Sequence, residues 1–381
     1  MSQDVFHDGA LAARSALPHV CAISAYQPGK PITALAREFG LAVESIVKLA
    51  SNENPLGMSP RAKAAIQAAI DGGERYPDPF ALTAALAARH GVAANQIVLG
   101  NGSNDVLDLV ARVFLDSDRS AIAAQYAFAV YPIATLSAGG ETITVPAKDY
   151  GHDLAAMRAA IRADTRVIWI ANPNNPTGAF LAADELRAFL AKTPAHVIVV
   201  LDEAYADYLD ANERYDAVRW IAEFPNLVVC RTFSKIYGMA GLRIGYGVAA
   251  APVAELMNRV RLPFNCNNLA IAGAIAALED HEFLAQSYAS NRAGMAEIRA
   301  GLEDLRLPCI PARGNFIAFR ATQEGGATAA DIHQDLLRQG VIVRPLAGYR
   351  MPDWLRVTIG APAENVRFLE ALRASVEKAR N

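Results

Sequence analysis

Short, unbroken runs of apolar residues alternate with helical segments over the first two thirds of this 381-residue chain. Such runs are typical of strands that are buried on both faces of a parallel sheet. The segment Ser59–Ile70 begins with a capping serine, followed by Pro60 at the first helical position. Alternating strands and helices predict an α/β domain with a mostly parallel central sheet sandwiched by helices. The predicted strands are Ile97–Leu99, Ser120–Ala124, Thr142–Val145, Val167–Ala171, Val197–Asp202 and Leu227–Arg231, and the other predicted helices are Ala81–His90 and Asp184–Ala191.

The last third of the chain has a different pattern, with longer helices and fewer strands. We expect one long helix over Asn268–Leu305 and a C-terminal amphipathic helix over Glu364–Arg380. Between them lie three predicted strands, Asn315–Arg320, Val341–Pro345 and Trp354–Ile359. This pattern predicts a smaller α+β domain. We expect a large domain over residues 50–270, and a small domain formed by residues 1–49 and 271–381.

Charge and hydropathy exclude several classes of protein. The formal net charge is −3, so the sequence has no basic surplus that would favour nucleic acid or a membrane surface. The longest apolar runs, such as Val197–Leu201, are far shorter than the about 20 residues of a membrane span. Met1–Gly9 lacks the basic and apolar regions of a secretory signal. The four cysteines form no CxxC pair, and we expect a cytoplasmic protein with reduced thiols and no metal site.

Polar segments follow four of the predicted strands at the points where those strands end. Because ligands bind at the carboxyl ends of strands in open parallel sheets, these segments mark a predicted site at one edge of the sheet. Each segment has an ordinary structural interpretation when taken alone, such as a tight turn or a helix cap, so their convergence is the stronger signal. The four segments are Gly100–Asn104, Asn172–Gly178, Asp202–Tyr205 and Thr232–Lys235.

Lys235 is the candidate nucleophile of this predicted site. Most lysines are exposed surface residues, but this one lies among Phe233, Ile236 and other apolar side chains. An apolar environment lowers the pKa of an amine and makes it nucleophilic. Asp202 could keep a heteroaromatic nitrogen protonated, which makes such a ring an electron sink. Arg243 could hold a phosphate with its planar guanidinium group.

Taken together, these segments resemble the fold-type I pyridoxal-phosphate aminotransferases, and the resemblance extends over nearly the whole chain. Within that family, five further stretches are similar to the histidinol-phosphate aminotransferases. They are Tyr26–Gly29, Ala50–Pro55, Arg75–Asp78, Asn315–Ile317 and Leu355–Gly360. In one departure from the pattern, Ala124-Gln125 precede Tyr126 where many relatives have Pro-Thr or Pro-Ser.

The resemblance implies a cofactor, pyridoxal 5′-phosphate, and a role for each matching residue. Lys235 would form the Schiff base with the cofactor and transfer the substrate proton, while Asp202 would pair with the pyridine nitrogen. Asn175 and Tyr205 would hydrogen-bond the ring oxygen, and Tyr126 would stack on the ring. The cofactor phosphate would be held by Gly102, Ser103, Asn104, Ser234 and Arg243.

The resemblance also implies the substrates and a shared active site. Tyr76 would reach the cofactor of a neighbouring subunit, which implies a homodimer. Arg356, with Arg344, Tyr26 and Asn52, would bind an amino donor and 2-oxoglutarate. The expected donor is L-histidinol phosphate, in histidine biosynthesis.

Three alternative functions remain open at this level. The first is an aromatic amino-acid aminotransferase, whose carboxylate substrates the same arginines could bind. The second is a decarboxylase of the phosphothreonine type on the same fold. The third is an effector-binding domain of a transcription regulator, which is the least favoured because no helix-turn-helix extension precedes the domain.

Overall fold

The computed structural model of the chain describes residues 13–322 and 326–380. Its strands are β1 Val47–Lys48, β2 Ile97–Gly100, β3 Ser120–Ala124, β4 Glu141–Val145, β5 Thr165–Ala171, β6 Ile198–Asp202, β7 Leu227–Thr232, β8 Gly245–Ala249, β9 Phe316–Arg320, β10 Val341–Ile342, β11 Arg344–Pro345 and β12 Trp354–Thr358. Its α-helices are α1 Pro18–Cys21, α2 Ile32–Phe39, α3 Pro60–Ala69, α4 Phe80–His90, α5 Ser103–Phe114, α6 Val130–Ser137, α7 Leu154–Ala159, α8 Ala183–Leu190, α9 Ala251–Val260, α10 Asn268–Leu278, α11 His281–Asp304, α12 Ala329–Arg338 and α13 Pro362–Arg380. The prediction for Met1–Gly9 lies outside the described residues.

Seven strands form the central sheet, in the order β2-β8-β7-β6-β5-β3-β4. The five strands from β7 to β4 pair in parallel. Strand β8 was not predicted, and it pairs antiparallel with both β7 and β2. Because two antiparallel pairings restore the original direction, β2 runs parallel to β7 and its carboxyl end lies at the same edge. The predicted fold class, a mostly parallel sheet between helices, is confirmed.

Helices cover both faces of this sheet. Successive strand residues alternate between two apolar clusters, as Val199 and Val200 do, because neighbouring side chains on a strand point to opposite faces. Helices α4, α8 and α10 contribute to one cluster, and α5, α6 and α9 contribute to the other. At the start of α3, the hydroxyl of Ser59 accepts a hydrogen bond from the Ala62 N–H, as the capping pattern predicted.

Two smaller sheets lie outside the central one. Strands β11, β12 and β9 form an antiparallel sheet, and β1 pairs with β10 in parallel. The prediction of one strand over Val341–Pro345 was wrong, because β10 and β11 join different sheets on either side of Val343. Helices α11, α12 and α13 pack with the three-stranded sheet around a separate apolar cluster.

The prediction of one helix over Asn268–Leu305 was also wrong. The segment forms α10 and α11, separated by Glu279 and Asp280. The Asp280 carboxylate accepts a hydrogen bond from the Phe283 N–H and so caps a new helix. Helix α10 packs in the core of the large sheet. Within the described ranges, no helix is both long enough and apolar enough to cross a membrane.

Candidate active site

A cavity of about 420 Å³ lies at the carboxyl edge of the central sheet. The N-terminal segment around Tyr26 and strands β11 and β12 of the smaller sheet also contribute to its wall. Twelve of the fifteen predicted site residues line it, so the strand-end segments do converge. They are Tyr26, Asn52, Ser103, Asn104, Asn175, Asp202, Tyr205, Ser234, Lys235, Arg243, Arg344 and Arg356.

Asp202 is the last residue of β6 and is only 5% exposed. Its Oδ2 accepts a hydrogen bond from the Tyr131 hydroxyl at 3.0 Å, and its Oδ1 accepts one from the Ala204 N–H at 3.2 Å. Burial raises the pKa of this carboxyl from 3.8 to about 6, although both hydrogen bonds oppose the change. At neutral pH the group is therefore still mainly a carboxylate, fixed in orientation by two donors.

Lys235 follows β7 and extends its amine into the same cavity. Burial lowers the pKa of the amine from 10.5 to about 8, and the Arg356 guanidinium adds to the lowering. The Nζ atom lies 5.5 Å from the centre of the Tyr205 ring. A substantial fraction of this amine is neutral near pH 8, so it can act as a nucleophile and a base.

Tyr205 presents a protonated hydroxyl to the cavity. Burial raises the pKa of this hydroxyl to about 12. The Asn52 amide donates a hydrogen bond to the Tyr205 oxygen at 2.9 Å, which leaves the tyrosine proton available for a ligand. Asn52 has a φ of 54° and is held by Thr358, whose hydroxyl accepts from its backbone N–H and donates to its side-chain oxygen. Strand β12 thus fixes a residue of the N-terminal segment beside β6.

Two arginines form the basic wall of the cavity. Arg344 on β11 and Arg356 on β12 are cross-strand partners in register, so their side chains leave the same face of the small sheet. Arg356 is buried and donates to the Asn175 side-chain oxygen and to the Ala50 carbonyl. Its Nε is buried without a hydrogen-bond partner among the described residues. The Arg344 guanidinium lies 5.4 Å from the Tyr26 ring centre.

Another part of the cavity wall carries groups that could hold an anion. Helix α5 begins there, and its first N–H groups have no acceptors within the helix. Arg243 donates to the Ser234 hydroxyl at 3.2 Å and to the Asn101 carbonyl at 3.4 Å. Gly102 does not line the cavity, but a Cβ on it would lie 2.1 Å from the Arg243 Nη2. A Cβ on Gly245 would lie 2.5 Å from the Ser103 nitrogen.

Tyr126 does not line the cavity, and its stacking on the cofactor ring stays a prediction. Its ring stacks on Tyr150 with 6.0 Å between centres. Phe128 and Tyr131, which the sequence analysis did not identify, line the cavity instead. Phe128 and Tyr131 come a few residues after the predicted strand β3. Their aromatic side chains near this strand end were the sequence feature that could have identified them as site residues.

Tyr76 also lies outside the lining of the cavity. Its side chain is 79% exposed and stacks on Phe264, which is 55% exposed, with 4.3 Å between ring centres. This position gives Tyr76 no role in the cavity of its own chain. Among the described residues, no three His, Cys, Asp or Glu side chains are grouped to hold a metal ion.

Comparisons of this chain with a family model and with known proteins indicate the same family. The model of the aminotransferase class I and II family matches residues 44–372. The chain is 65% identical over 364 residues to histidinol-phosphate aminotransferase 1 of Dechloromonas aromatica, covering 96% of this chain and 99% of that protein. It is 58% identical to histidinol-phosphate aminotransferase 1 of Thiobacillus denitrificans, covering 95% and 94%.

A solved structure has the same fold. Histidinol-phosphate aminotransferase from Sinorhizobium meliloti, in complex with pyridoxal 5′-phosphate, matches with a TM-score of 0.86 at 26% identity, covering 96% of this chain and 99% of that chain. The family model covers most of the chain, and the relatives match over nearly their whole length. This chain therefore belongs to the class I and II aminotransferase family and is an enzyme of that family.

Proposed function

We propose that the enzyme uses pyridoxal 5′-phosphate to transfer the amino group of L-histidinol phosphate to 2-oxoglutarate. The products are imidazole-acetol phosphate and L-glutamate, in histidine biosynthesis. One observation carries this proposal: an amine of lowered pKa, a buried carboxylate and two arginines line one cavity. The names of the two close relatives support the choice of donor.

The residues that could hold an anion fit the cofactor phosphate. Gly102 and Gly245 have no Cβ, and this leaves room for the Arg243 guanidinium and for the first N–H groups of α5. Ser103 and Asn104 would donate from the helix terminus, and Ser234 and Arg243 would donate from the other side.

The middle of the cavity fits a pyridine ring. Asp202 would accept a hydrogen bond from the protonated ring nitrogen, and Phe128, in the wall of the cavity, would pack on the ring, a contact that the resemblance gave to Tyr126. Tyr205 and the Asn175 amide would donate to the ring oxygen. Because the Asn175 oxygen already accepts from Arg356, its N–H groups remain available as donors.

The chain's own residues then perform the proton transfers. When bound, the cofactor supplies an electron sink for the electrons of the Cα–H bond. Once the donor amine has displaced it, the Lys235 amine would remove the Cα proton of the donor and deliver it to the cofactor carbon that bears the transferred nitrogen; with the second substrate the same amine would move a proton in the reverse direction, to the Cα of the acceptor. With the cofactor bound, Asp202 would keep a proton on the ring nitrogen, and Tyr205 would donate a hydrogen bond to the ring oxygen.

The arginine pair explains how one pocket can accept two different substrates. A phosphate and a carboxylate have to alternate in the same place, and both are oxyanions that a guanidinium binds with two parallel hydrogen bonds. Arg356 would be the main ligand, because its buried Nε still lacks a partner among the described residues. Arg344, Tyr26 and Asn52 would complete the pocket from the other side.

We further propose that the enzyme is a cytoplasmic homodimer with shared active sites. The stacked pair Tyr76 and Phe264 is more exposed than large aromatic side chains usually are, which supports a partner surface there. Tyr76 would reach the cofactor phosphate of the partner subunit.

The donor proposal is tested by the half-reaction of the cofactor-loaded enzyme without an acceptor. The change in cofactor absorbance from its lysine-bound form to its amine form is followed with L-histidinol phosphate, L-phenylalanine and L-tyrosine. We expect a kcat/KM for L-histidinol phosphate at least about 100-fold higher than for either aromatic amino acid, because a phosphate carries more negative charge than a carboxylate and so interacts more strongly with the two arginines. Equal or reversed values would favour the aromatic aminotransferase, and release of carbon dioxide from phosphothreonine would favour the decarboxylase.

A further inference from the structure

Tyr131 lies in the second position of α6 and is fully buried in the wall of the cavity. Its hydroxyl is 3.0 Å from the Asp202 Oδ2. Burial raises the pKa of this hydroxyl well above its usual range, and the Asp202 charge raises it further. The tyrosine is therefore protonated at all ordinary pH values, so it donates and the carboxylate accepts.

The ring of Tyr131 is held on several sides, so its hydroxyl position is well defined. It stacks on Trp169 with 5.5 Å between centres and an angle of 5° between planes, and Phe128 contacts it edge-on. The Trp169 indole N–H donates to the Thr135 hydroxyl, which in turn donates to the Tyr131 carbonyl. A donor this rigid loses little conformational entropy when it makes its hydrogen bond.

Four titratable groups face Asp202 from the elements around it. Tyr131 donates from α6, and the Lys235 charge lowers the carboxyl pKa from the end of β7. Cys230 on β7 and Tyr205 after β6 are the other two, and burial raises the pKa of both. Tyr131 is the one side chain among these four that forms a direct hydrogen bond with the carboxylate.

We propose that Tyr131 is a positioning residue that keeps a proton on the ring nitrogen of the cofactor, by making Asp202 a weaker proton acceptor. This inference rests on the proposed function, since it takes Asp202 as the partner of that nitrogen. Asp202 and the ring nitrogen share one proton. A hydrogen bond donated to the carboxylate stabilises its charged form, so the proton stays on nitrogen.

Removal of the hydroxyl has a predictable consequence. A hydrogen bond to a charged acceptor contributes enough to shift the pKa of the acceptor by about 1 to 2 pH units. Without it, the already high pKa of Asp202 rises further, and the proton moves from the ring nitrogen toward the carboxyl oxygen. The ring then attracts electrons less strongly, so kcat falls while the binding of both substrates is retained.

The test uses Tyr131→Phe, which keeps the stacked ring and removes only the hydroxyl. Tyr215→Phe is the matched control, because Tyr215 also stacks on a tryptophan, Trp220, and its hydroxyl also has a side-chain partner, Asn172, outside the cavity. Each protein is loaded with cofactor carrying ¹⁵N in the ring, and the ¹⁵N chemical shift is recorded from pH 5.5 to 8.5, as well as kcat and KM.

We expect a protonated ring nitrogen in the wild type and in Tyr215→Phe throughout this pH range. In Tyr131→Phe the ¹⁵N signal should move toward the unprotonated position, and kcat should fall about 10- to 100-fold with KM little changed. An unchanged ¹⁵N signal in Tyr131→Phe would overturn the inference. So would a loss of kcat in Tyr215→Phe as large as that in Tyr131→Phe. If the wild type bound no cofactor at Lys235, the proposed function itself would fail, which is a different result.

A second measurement covers the case in which Tyr131→Phe does not fold. A fluorinated tyrosine placed at position 131 has nearly the same shape and a more acidic hydroxyl, so it is a stronger donor. In the apoprotein, ¹³C-detected titration of the Asp202 carboxyl should then give a lower pKa than in the wild type. An unchanged or higher pKa would overturn the inference.

Discussion

Asp202 should destabilise the protein when the cofactor is absent, and Asp202→Asn should therefore stabilise the apoprotein at neutral pH. The carboxylate is buried at the end of β6, and its negative charge has no cofactor nitrogen to pair with. An asparagine has the same shape and can form a hydrogen bond with each partner of the aspartate, with the direction of the one to Tyr131 reversed. Its oxygen can accept from the Ala204 N–H, and its amide can donate to the Tyr131 oxygen.

The magnitude follows from the carboxyl pKa, which burial raises from 3.8 to about 6 in the folded protein. The folded state then binds more protons than the unfolded state between pH 4 and 6, so wild-type stability falls as the pH rises through this window. A pKa difference of about 2 corresponds to about 3 kcal/mol at 1.36 kcal/mol per unit. The asparagine side chain cannot ionise, so the variant should not lose this stability as the pH rises.

The assay is urea unfolding of both apoproteins, followed by circular dichroism at several pH values and at one protomer concentration. At pH 7.5 the Asp202→Asn apoprotein should be more stable by about 2 to 3 kcal/mol, and at pH 4.5 by much less. Added cofactor should reduce this stability difference. Its protonated ring nitrogen would compensate the negative charge of Asp202 in the wild type, whereas the variant has no charge to compensate. An Asp202→Asn apoprotein that is less stable than the wild type at pH 7.5 would refute this reasoning. So would a stability difference between variant and wild type that is the same at both pH values.

Three further predictions concern other parts of the cavity. Gly102→Ala should weaken cofactor binding in a spectroscopic titration, because its Cβ would displace the Arg243 guanidinium, while Gly241→Ala, which has open space around its Cβ, should bind normally. Arg356→Gln should raise KM for both substrates by about 100-fold in steady-state kinetics, since each loses its main charged ligand; an unchanged KM would contradict the assignment. Mixed dimers of Tyr76→Phe and Lys235→Ala chains should recover activity that neither variant has alone, and no recovery would argue against shared sites.

The central sheet was predictable because its strands are buried on both faces. Burial of that kind requires unbroken apolar runs such as Val197–Leu201, and these are visible without any knowledge of the fold. Strand β8 was missed because Gly245 and Gly247 are unfavourable in strands. The glycines are needed there for close packing: a Cβ on Gly245 would contact the Ser103 nitrogen, and one on Gly247 would contact Val106.

The smaller sheets were harder to predict because long-range pairing determines them. Nothing within Val341–Pro345 shows that the first two residues pair with β1 and the last two with β12. The same pairing places Arg344 opposite Arg356, so the arginine pair was expected only from the resemblance. The division of the chain at residues 50 and 270 stays a prediction.

The site was predictable where a residue lies at the end of a strand or within a few residues after it, as Asp202 and Lys235 do. The sequence could not show that Tyr126 lies outside the wall of the cavity, because the turn between β3 and α6 decides which aromatic side chain points into it. That turn directs Tyr126 toward Tyr150 and leaves Phe128 in the wall. A sequence pattern gives the order of these residues but not the direction of each side chain.

The most direct test of the account is to locate the covalent attachment of the cofactor. The holoenzyme is treated with borohydride, which reduces the bond between the cofactor and the lysine to a stable amine, and is then digested and analysed by mass spectrometry. We predict a single pyridoxyl-phosphate adduct, on Lys235, which L-histidinol phosphate added before the reduction should remove. An adduct on another lysine, or none on Lys235, would contradict the central claim that this amine performs the transfer.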